Sequence, residues 1–256
     1  MTEAKVLILR APGTNCDAES AFAFEKAGAQ VELVHVAELI RRQRPLSGYQ
    51  IMVIPGGFTY GDDISAGRIL ANELRLKLRD EIQRFVDDGR LILGICNGFQ
   101  VLVKAGLLPR WTGENPQLLT IAGNDSGKFE CRWVYLRANE TSPCIFTRGI
   151  GIMYLPVAHA EGKVVISAGM PEEVGVALHY ADETGDIRAS YPHNPNGSMN
   201  NIAGVCDATG RVFGLMPHPE RFIRWTQHPR WTTEARRDHG DGFRIFLNAV
   251  DYAKGI

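Results

Sequence analysis

The chain has no cysteine pair at C-x-x-C spacing, and its five cysteines, Cys16, Cys96, Cys131, Cys144 and Cys206, are odd in number and scattered. That distribution argues against a disulfide framework and against a zinc site. Charge of one sign is missing as well: 28 basic residues stand against 29 acidic ones. No nucleic-acid or other polyanion footprint follows from such a balance. No run of 18 apolar residues occurs, and MTEAKVLILR enters a short strand with too few apolar residues for a signal sequence. No membrane partner is expected, and a reducing cytoplasm fits both observations. Repeats, low-complexity tracts and flexible linkers are absent, as is a G-x-x-x-x-G-K-[ST] phosphate loop; the nearest string, Gly123 to Phe129, has the wrong spacing. The chain does have 256 residues, 45% of them hydrophobic, enough for one large domain with a substantial core.

Short apolar runs alternate with helical patterns in the first half. Lys5 to Leu9, Val31 to Val36, Gln50 to Ile54 and Leu91 to Ile95 read as strands. Between them, Asp17 is placed to cap a helix that carries Phe22 and Phe24 and stops at Gly28, and two more helices are expected over about Ile64 to Leu74 and Leu78 to Asp87. This alternation predicts an α/β fold, a mostly parallel central sheet covered by helices, whose ligands gather at the carboxyl ends of the strands. Three glycine-containing loops, beginning at Pro12, Pro55 and Gly94, lie at those ends.

From about Phe129 the segments shorten. Glu130 to Leu136, Ile152 to Val157, Lys163 to Ser167, Gly175 to Tyr180, Asn201 to Val205 and Val212 to Leu215 read as extra strands of the C-terminal half, several of them antiparallel. A last helix, Gly242 to Ala253, puts Phe243, Phe246, Leu247 and Val250 on one stripe. The arginine-rich stretch from Phe222 to Asp241, with Trp225 and Trp231, also holds acidic residues and reads as a packed surface excursion.

Chemistry enters at GICNGFQ, Gly94 to Gln100, where Cys96 stands between two glycines directly after an apolar strand. G-x-C-x-G at that place is the spacing of a nucleophile elbow, and side chains at the glycine positions would strike the neighbouring strand and helix. A helix from Asn97 to about Ala105, stopped by Gly106, would put the thiol at a positive helix end. A thiol nucleophile needs a proton carrier, and the carrier needs a partner that orients it. MPHPER, Met216 to Arg221, offers His218 and Glu220, two residues apart and therefore on one face of an extended segment, with Pro217 and Pro219 excluding a helix. The other six histidines have no comparable setting.

Together these motifs resemble the class I, or triad, glutamine amidotransferases: an elbow cysteine followed about 120 residues later by H-x-E. APGTNCD, IPGGFTYGDD, FECRW, HAEGK, YPHNPNGS, IAGV and GLMPHPER further resemble the glutaminase subunits of phosphoribosylformylglycinamidine synthase, over blocks running from Ala11 to Arg221. The resemblance implies a flavodoxin-like amidotransferase domain over residues 1–256, with Cys96 as nucleophile, His218 as acid/base and Glu220 as its orienting partner. It also implies that Gly57 and Asn97 present backbone N–H groups as an oxyanion hole, that Phe58 and Gln100 lie close to bound glutamine, and that this chain holds no metal or cofactor. The implied partners are glutamine, a large synthetase subunit carrying ATP and Mg, and a small third subunit. The stretch Arg224 to Gly242 and the helix after it extend beyond the shorter subunits and look more like the C-terminal end of the fused, single-chain synthetases. Two rivals stay open on the sequence: another cysteine hydrolase of the same scaffold, a peptidase or a DJ-1-like protein, and a catalytically silent regulatory module.

Overall fold

The computed structural model describes residues 3–109, 118–167 and 175–256. Strands β1 (Lys5–Arg10), β2 (Gln30–His35), β3 (Ile51–Ile54) and β4 (Leu91–Ile95) pair in parallel in the order β2-β1-β3-β4. The crossovers between them are α1 (Asp17–Lys26), α2 (Val36–Ile40), and α3 (Arg68–Lys77) with α4 (Arg79–Asp87). β3 and β4 are buried at every residue, which is why they read as unbroken apolar runs.

After β4 come α5 (Asn97–Ala105), β5 (Leu119–Gly123), β6 (Glu130–Ala138), β7 (Ile152–His159), β8 (Glu161–Ile166), β9 (Val176–Ala181), β10 (Ile202–Cys206), β11 (Val212–Leu215) and α6 (Phe243–Ala253). β11 joins β4 in parallel, and β10, β9, β6 and β7 follow as an antiparallel extension, giving a nine-stranded sheet. The fold is thus a helix-flanked α/β sheet with a parallel block and added antiparallel strands. α1 and α6 pack together, with Phe24 edge-on to Phe246 at 5.0 Å. α3 packs on α5, which lies over β3, β4 and β11.

β7 is one of the sheet's two edge strands, β2 being the other, and Pro156 in its middle fits that place, because an outward-facing edge residue has no ladder partner for an N–H that proline lacks. The free edge is used. The Pro156 carbonyl accepts the His218 N–H at 2.8 Å, and the Tyr154 N–H donates to the Asp241 carboxylate at 2.9 Å. The antiparallel half therefore curls until its last strand meets the segment just beyond β11.

Several boundaries differ from the sequence reading. Asp17 is not the cap of α1: Cys16 occupies that position, and the Asp17 carboxylate pairs with Arg10 at 2.7 Å. β2 ends at His35 because His35 and Glu38 cap α2 reciprocally, a short helix absent from the sequence reading. The helix expected from Ile64 begins at Arg68; Ile64 is 82% exposed with φ 73°, and Gly67 in the left-handed region starts α3. β5, also unexpected, pairs among the described residues with β8, in a separate two-stranded ribbon. The arginine-rich stretch is packed only in its first part, with Phe222, Trp225 and His228 buried, Trp225 stacked on His228 at 4.9 Å and Arg237 over the Trp225 ring at 4.4 Å; residues 229–239, Trp231 among them, are exposed.

Candidate active site

The glycine loops after β1, β3 and β4 meet at the carboxyl ends of the strands. The first two are zipped together by backbone: Phe58 N–H donates to Gly13 O at 2.9 Å, and the Asn15 and Cys16 N–H groups both donate to Gly56 O. A β-carbon on Gly13 would come within 2.0 Å of Phe58 O, so the approach needs glycine there.

Cys96 stands between β4 and α5 with φ 51° and ψ −106°. That left-handed conformation costs about 1–3 kcal/mol for a non-glycine residue and persists only where its surroundings impose it. Here they do. A β-carbon on Gly98 would lie 1.8 Å from Ile54 O and one on Gly94 2.7 Å from Gly98 O, so the strand, the turn and the helix close on one another without spare volume. Asn97 opens α5, where the first N–H groups of a helix have no acceptor within it. The buried Asn97 side chain staples the next loop to that helix: Oδ1 accepts from Thr59 N and Oγ1, and Nδ2 donates to Asp62 and Gln100.

His218 follows β11. The extended segment expected there is instead a short 3-10 turn over Pro219–Arg221, since proline is well tolerated at the first position of a helical turn. The turn still brings the two side chains together, with His218 Nδ1 2.6 Å from Glu220 Oε1 and both residues buried. Burial opposes a charged imidazole, but the Glu220 carboxylate and the thiols of Cys96 and Cys16 outweigh it and hold the His218 pKa well above the ordinary value. Among the described residues His218 Nε2 has no hydrogen-bond partner. The Cys96 thiol donates to Ala158 O, on β7, at 3.7 Å.

Cys96, His218, Gly57, Phe58 and Gln100 line one pocket of about 200 Å³. Phe58 stands half-exposed at it. The Gln100 amide is buried and engaged, donating to Glu161 O at 2.6 Å and accepting from Asn97 Nδ2 at 3.0 Å. Asn97 and Glu220 lie behind the pocket wall rather than on it.

The remaining wall holds residues to which the sequence reading gave no role: Cys16, Asp62, His159, Glu161 and Arg221. They fall inside APGTNCD, IPGGFTYGDD, HAEGK and GLMPHPER, so the signal was the presence of polar residues within those loop blocks. Burial, reinforced by the nearby His218, pulls the His159 pKa down to about 4. Burial raises the Asp62 pKa and lowers that of Lys104, whose ammonium lies 3.8 Å from Glu161. Cys16, His218 and Glu220 bring three ligand-type atoms within 4.8 Å of one another, but Arg221 sets a guanidinium 3.1 Å from the Cys16 sulfur, which disfavours a cation there. A larger hollow of about 360 Å³ between Arg42 and Arg90 contains no thiol or histidine.

A cysteine elbow beside a buried histidine–glutamate pair, at the carboxyl edge of a parallel sheet, belongs to the α/β glutamine amidotransferases, and the model of the CobB/CobQ-like glutamine amidotransferase domain matches residues 3–253. The chain is 52% identical over 256 residues, covering all of both chains, to phosphoribosylformylglycinamidine synthase subunit PurQ of Dehalococcoides mccartyi. It is 44% identical to the PurQ subunit of Archaeoglobus fulgidus, over 99% of this chain and 98% of that one. A chain in the structure of PurLQS from Thermotoga maritima superposes with a TM-score of 0.75 at 32% identity, covering 98% of this chain and 99% of that one. The chain belongs to the PurQ family of glutamine amidotransferases. Its full-length match to the Dehalococcoides subunit spans Arg224 to Gly242, so that stretch occurs in separate subunits and is not peculiar to fused synthetases.

Proposed function

We propose that this chain is the glutaminase subunit of a phosphoribosylformylglycinamidine synthase, releasing ammonia from glutamine for a synthetase subunit that aminates formylglycinamide ribonucleotide in purine synthesis. The observation that carries this reading is the Glu220-anchored imidazole of His218, its Nε2 unpartnered, on the same pocket as Cys96. The Cys96 thiolate attacks the side-chain amide carbon of glutamine. The tetrahedral oxyanion is received by the N–H groups of Gly57 and Asn97, worth roughly 3 kcal/mol for each donor by analogy with other oxyanion holes. His218, positively charged and oriented by Glu220, protonates the departing nitrogen, leaving a γ-glutamyl thioester and free ammonia. Water, deprotonated by His218, then cleaves the thioester to glutamate. Phe58 and Gln100 form the wall against which the rest of the glutamine lies.

Ammonium is no nucleophile, so the ammonia must pass to an acceptor site without equilibrating with solvent. This chain lacks a Walker-type phosphate loop, and the ATP and Mg of the amination belong to the large subunit; a small third subunit completes the assembly. Support for the partnership comes from the PurLQS complex that contains the similar Thermotoga chain. Free thiols at all five cysteines suit a cytoplasmic setting. The isolated chain is expected to turn over glutamine feebly and to need the assembly for full rate.

The test is to treat the protein with 6-diazo-5-oxo-norleucine, a glutamine-mimicking electrophile, and locate the adduct by mass spectrometry. Labelling is expected at Cys96; an adduct at Cys16 or Cys131 in its place overturns the assignment. In the assembled complex Cys96→Ser should abolish glutamine-dependent synthesis and spare ammonia-dependent synthesis, whereas equal loss of both would give Cys96 a structural or docking role.

A further inference from the structure

The pocket contains a second thiol for which the proposed reaction has no use. Cys16 is 1% exposed, anchored by its N–H on Gly56 O at 3.2 Å. Its thiol donates to Asn15 Oδ1 at 3.1 Å, and its sulfur accepts from Arg221 Nη2 at 3.1 Å. Gly56 explains how close the sulfur comes to the imidazole. A methyl group built on that glycine would lie 2.9 Å from His218 Cε1, 3.5 Å from Nδ1 and 3.2 Å from Cys16 Sγ. Sulfur and ring edge thus pack over the same bare patch of backbone, and no side chain can separate them.

The charges are ordered as well. The Arg221 guanidinium holds the sulfur in place, and the sulfur's remaining lone-pair density faces a ring that becomes positive when His218 holds two protons, whereas the Arg221 charge itself opposes that second proton. The other ionisable groups facing that ring are Glu220 on its own turn, Cys96 at the elbow, His159 on β7 and Arg221 itself. Of these, Glu220 already occupies Nδ1, and Cys96 is the group that exchanges a proton with the ring. Cys16 is left as a fixed brace.

We propose that Cys16, gripped by Arg221, is a positioning residue for His218: its sulfur braces the Cε1–Nδ1 edge of the imidazole and stabilises the doubly protonated ring, leaving Nε2 as the working end. This rests on the reading of His218 as acid/base, and it is tested by a measurement that needs no turnover. In the full chain, the His218 Cε1–H resonance is assigned by its disappearance in His218→Asn and followed with pH by NMR. In Cys16→Ala the midpoint should fall by about half to one pH unit, and in Cys16→Ser, which keeps a polar acceptor, by less. In the assembled complex Cys16→Ala should lower glutamine kcat about three- to tenfold at alkaline pH with KM unchanged, moving the alkaline limb of the kcat/KM profile down by the same interval. An unmoved His218 midpoint in both variants, or a loss of kcat equal at every pH, overturns the proposal. A chain that turns over no glutamine would refute the amidotransferase reading, and the NMR midpoints would still decide the part played by Cys16.

Discussion

His159 sets an acid limit on the fold that can be worked out from its surroundings. Its ring is 3% exposed, Nδ1 meets Asn124 Oδ1 at 3.1 Å, and Nε2 is buried with no partner among the described residues. A second proton would bury an unpaired charge beside His218, so the folded chain resists protonation down to about 4, while the unfolded chain takes the proton near 6.5. Between those values the unfolded state binds more protons, so stability is present above about 6.5 and is lost as pH falls towards 4. At about 1.4 kcal/mol for each pH unit between the midpoints, the neutral ring contributes about 3 kcal/mol at neutral pH. His218 adds nothing to this acid slope. Its raised value stabilises the fold fully below the unfolded midpoint, and that contribution fades only as pH rises through the folded one. Urea titrations of wild type and His159→Gln at pH 7.5 and 4.5 isolate the effect, since glutamine can keep a hydrogen bond to Asn124 and cannot titrate. Wild type should lose about 2–3 kcal/mol more than the variant over that interval. Parallel losses in the two proteins would refute the reasoning.

Glu220→Gln removes the charge that orients and stabilises the His218 imidazolium across 2.6 Å; kcat for glutamine in the complex should fall by about 10³–10⁴ with KM changed only a few-fold, and a kcat within tenfold of wild type would deny the carboxylate its role. Gly98→Ala would gain roughly 1 kcal/mol in an unconstrained helix, but with Ile54 O at 1.8 Å from the new carbon it should lose about 2 kcal/mol or more. An unshifted urea midpoint would contradict that. Asn97→Ala abandons three hydrogen bonds between α5 and the loop after β3, and a fourth to Gln100 within α5. About 2–4 kcal/mol of stability should go with them, visible as a lower melting temperature, and retention of the wild-type value would mean that the loop is held elsewhere.

The elbow was legible in the sequence because its cause is local: glycine on each side of Cys96 reports backbone packed too tightly for a β-carbon, and Gly94 and Gly98 meet that description. The inner strands β1, β3 and β4 were legible because burial on both faces leaves continuous apolar runs, whereas the edge strand β2 has a single buried residue. His218 and Glu220 were legible as a pair but not in conformation, since a two-residue spacing serves an extended strand and a 3-10 turn alike. Ile64 supplies apolar periodicity from an exposed, left-handed position, so the helical pattern begins four residues ahead of α3 itself. β5 and α2 are five residues each, too short to establish a period against turn signals. Cys16 and His159 reach the pocket only through pairings between distant segments: Cys16 through the loop after β3, His159 through the outermost strand of the curled sheet. No spacing rule within a motif carries that information.

The use made of β7's outer margin has a wider meaning. An unclaimed strand edge of this length invites a second molecule to add itself, a familiar route into aggregates. Here the guest is the protein's own polypeptide, and the guest carries His218 on Pro156 O, while Cys96 rests its thiol against Ala158 O two residues further along. Cover of this edge and the chemistry proposed for the site are consequently tied to one seam. A mutation that frees the segment beyond β11 would disarm the imidazole and uncover an adhesive border at the same moment, so selection against clumping would also guard the geometry of the reacting groups.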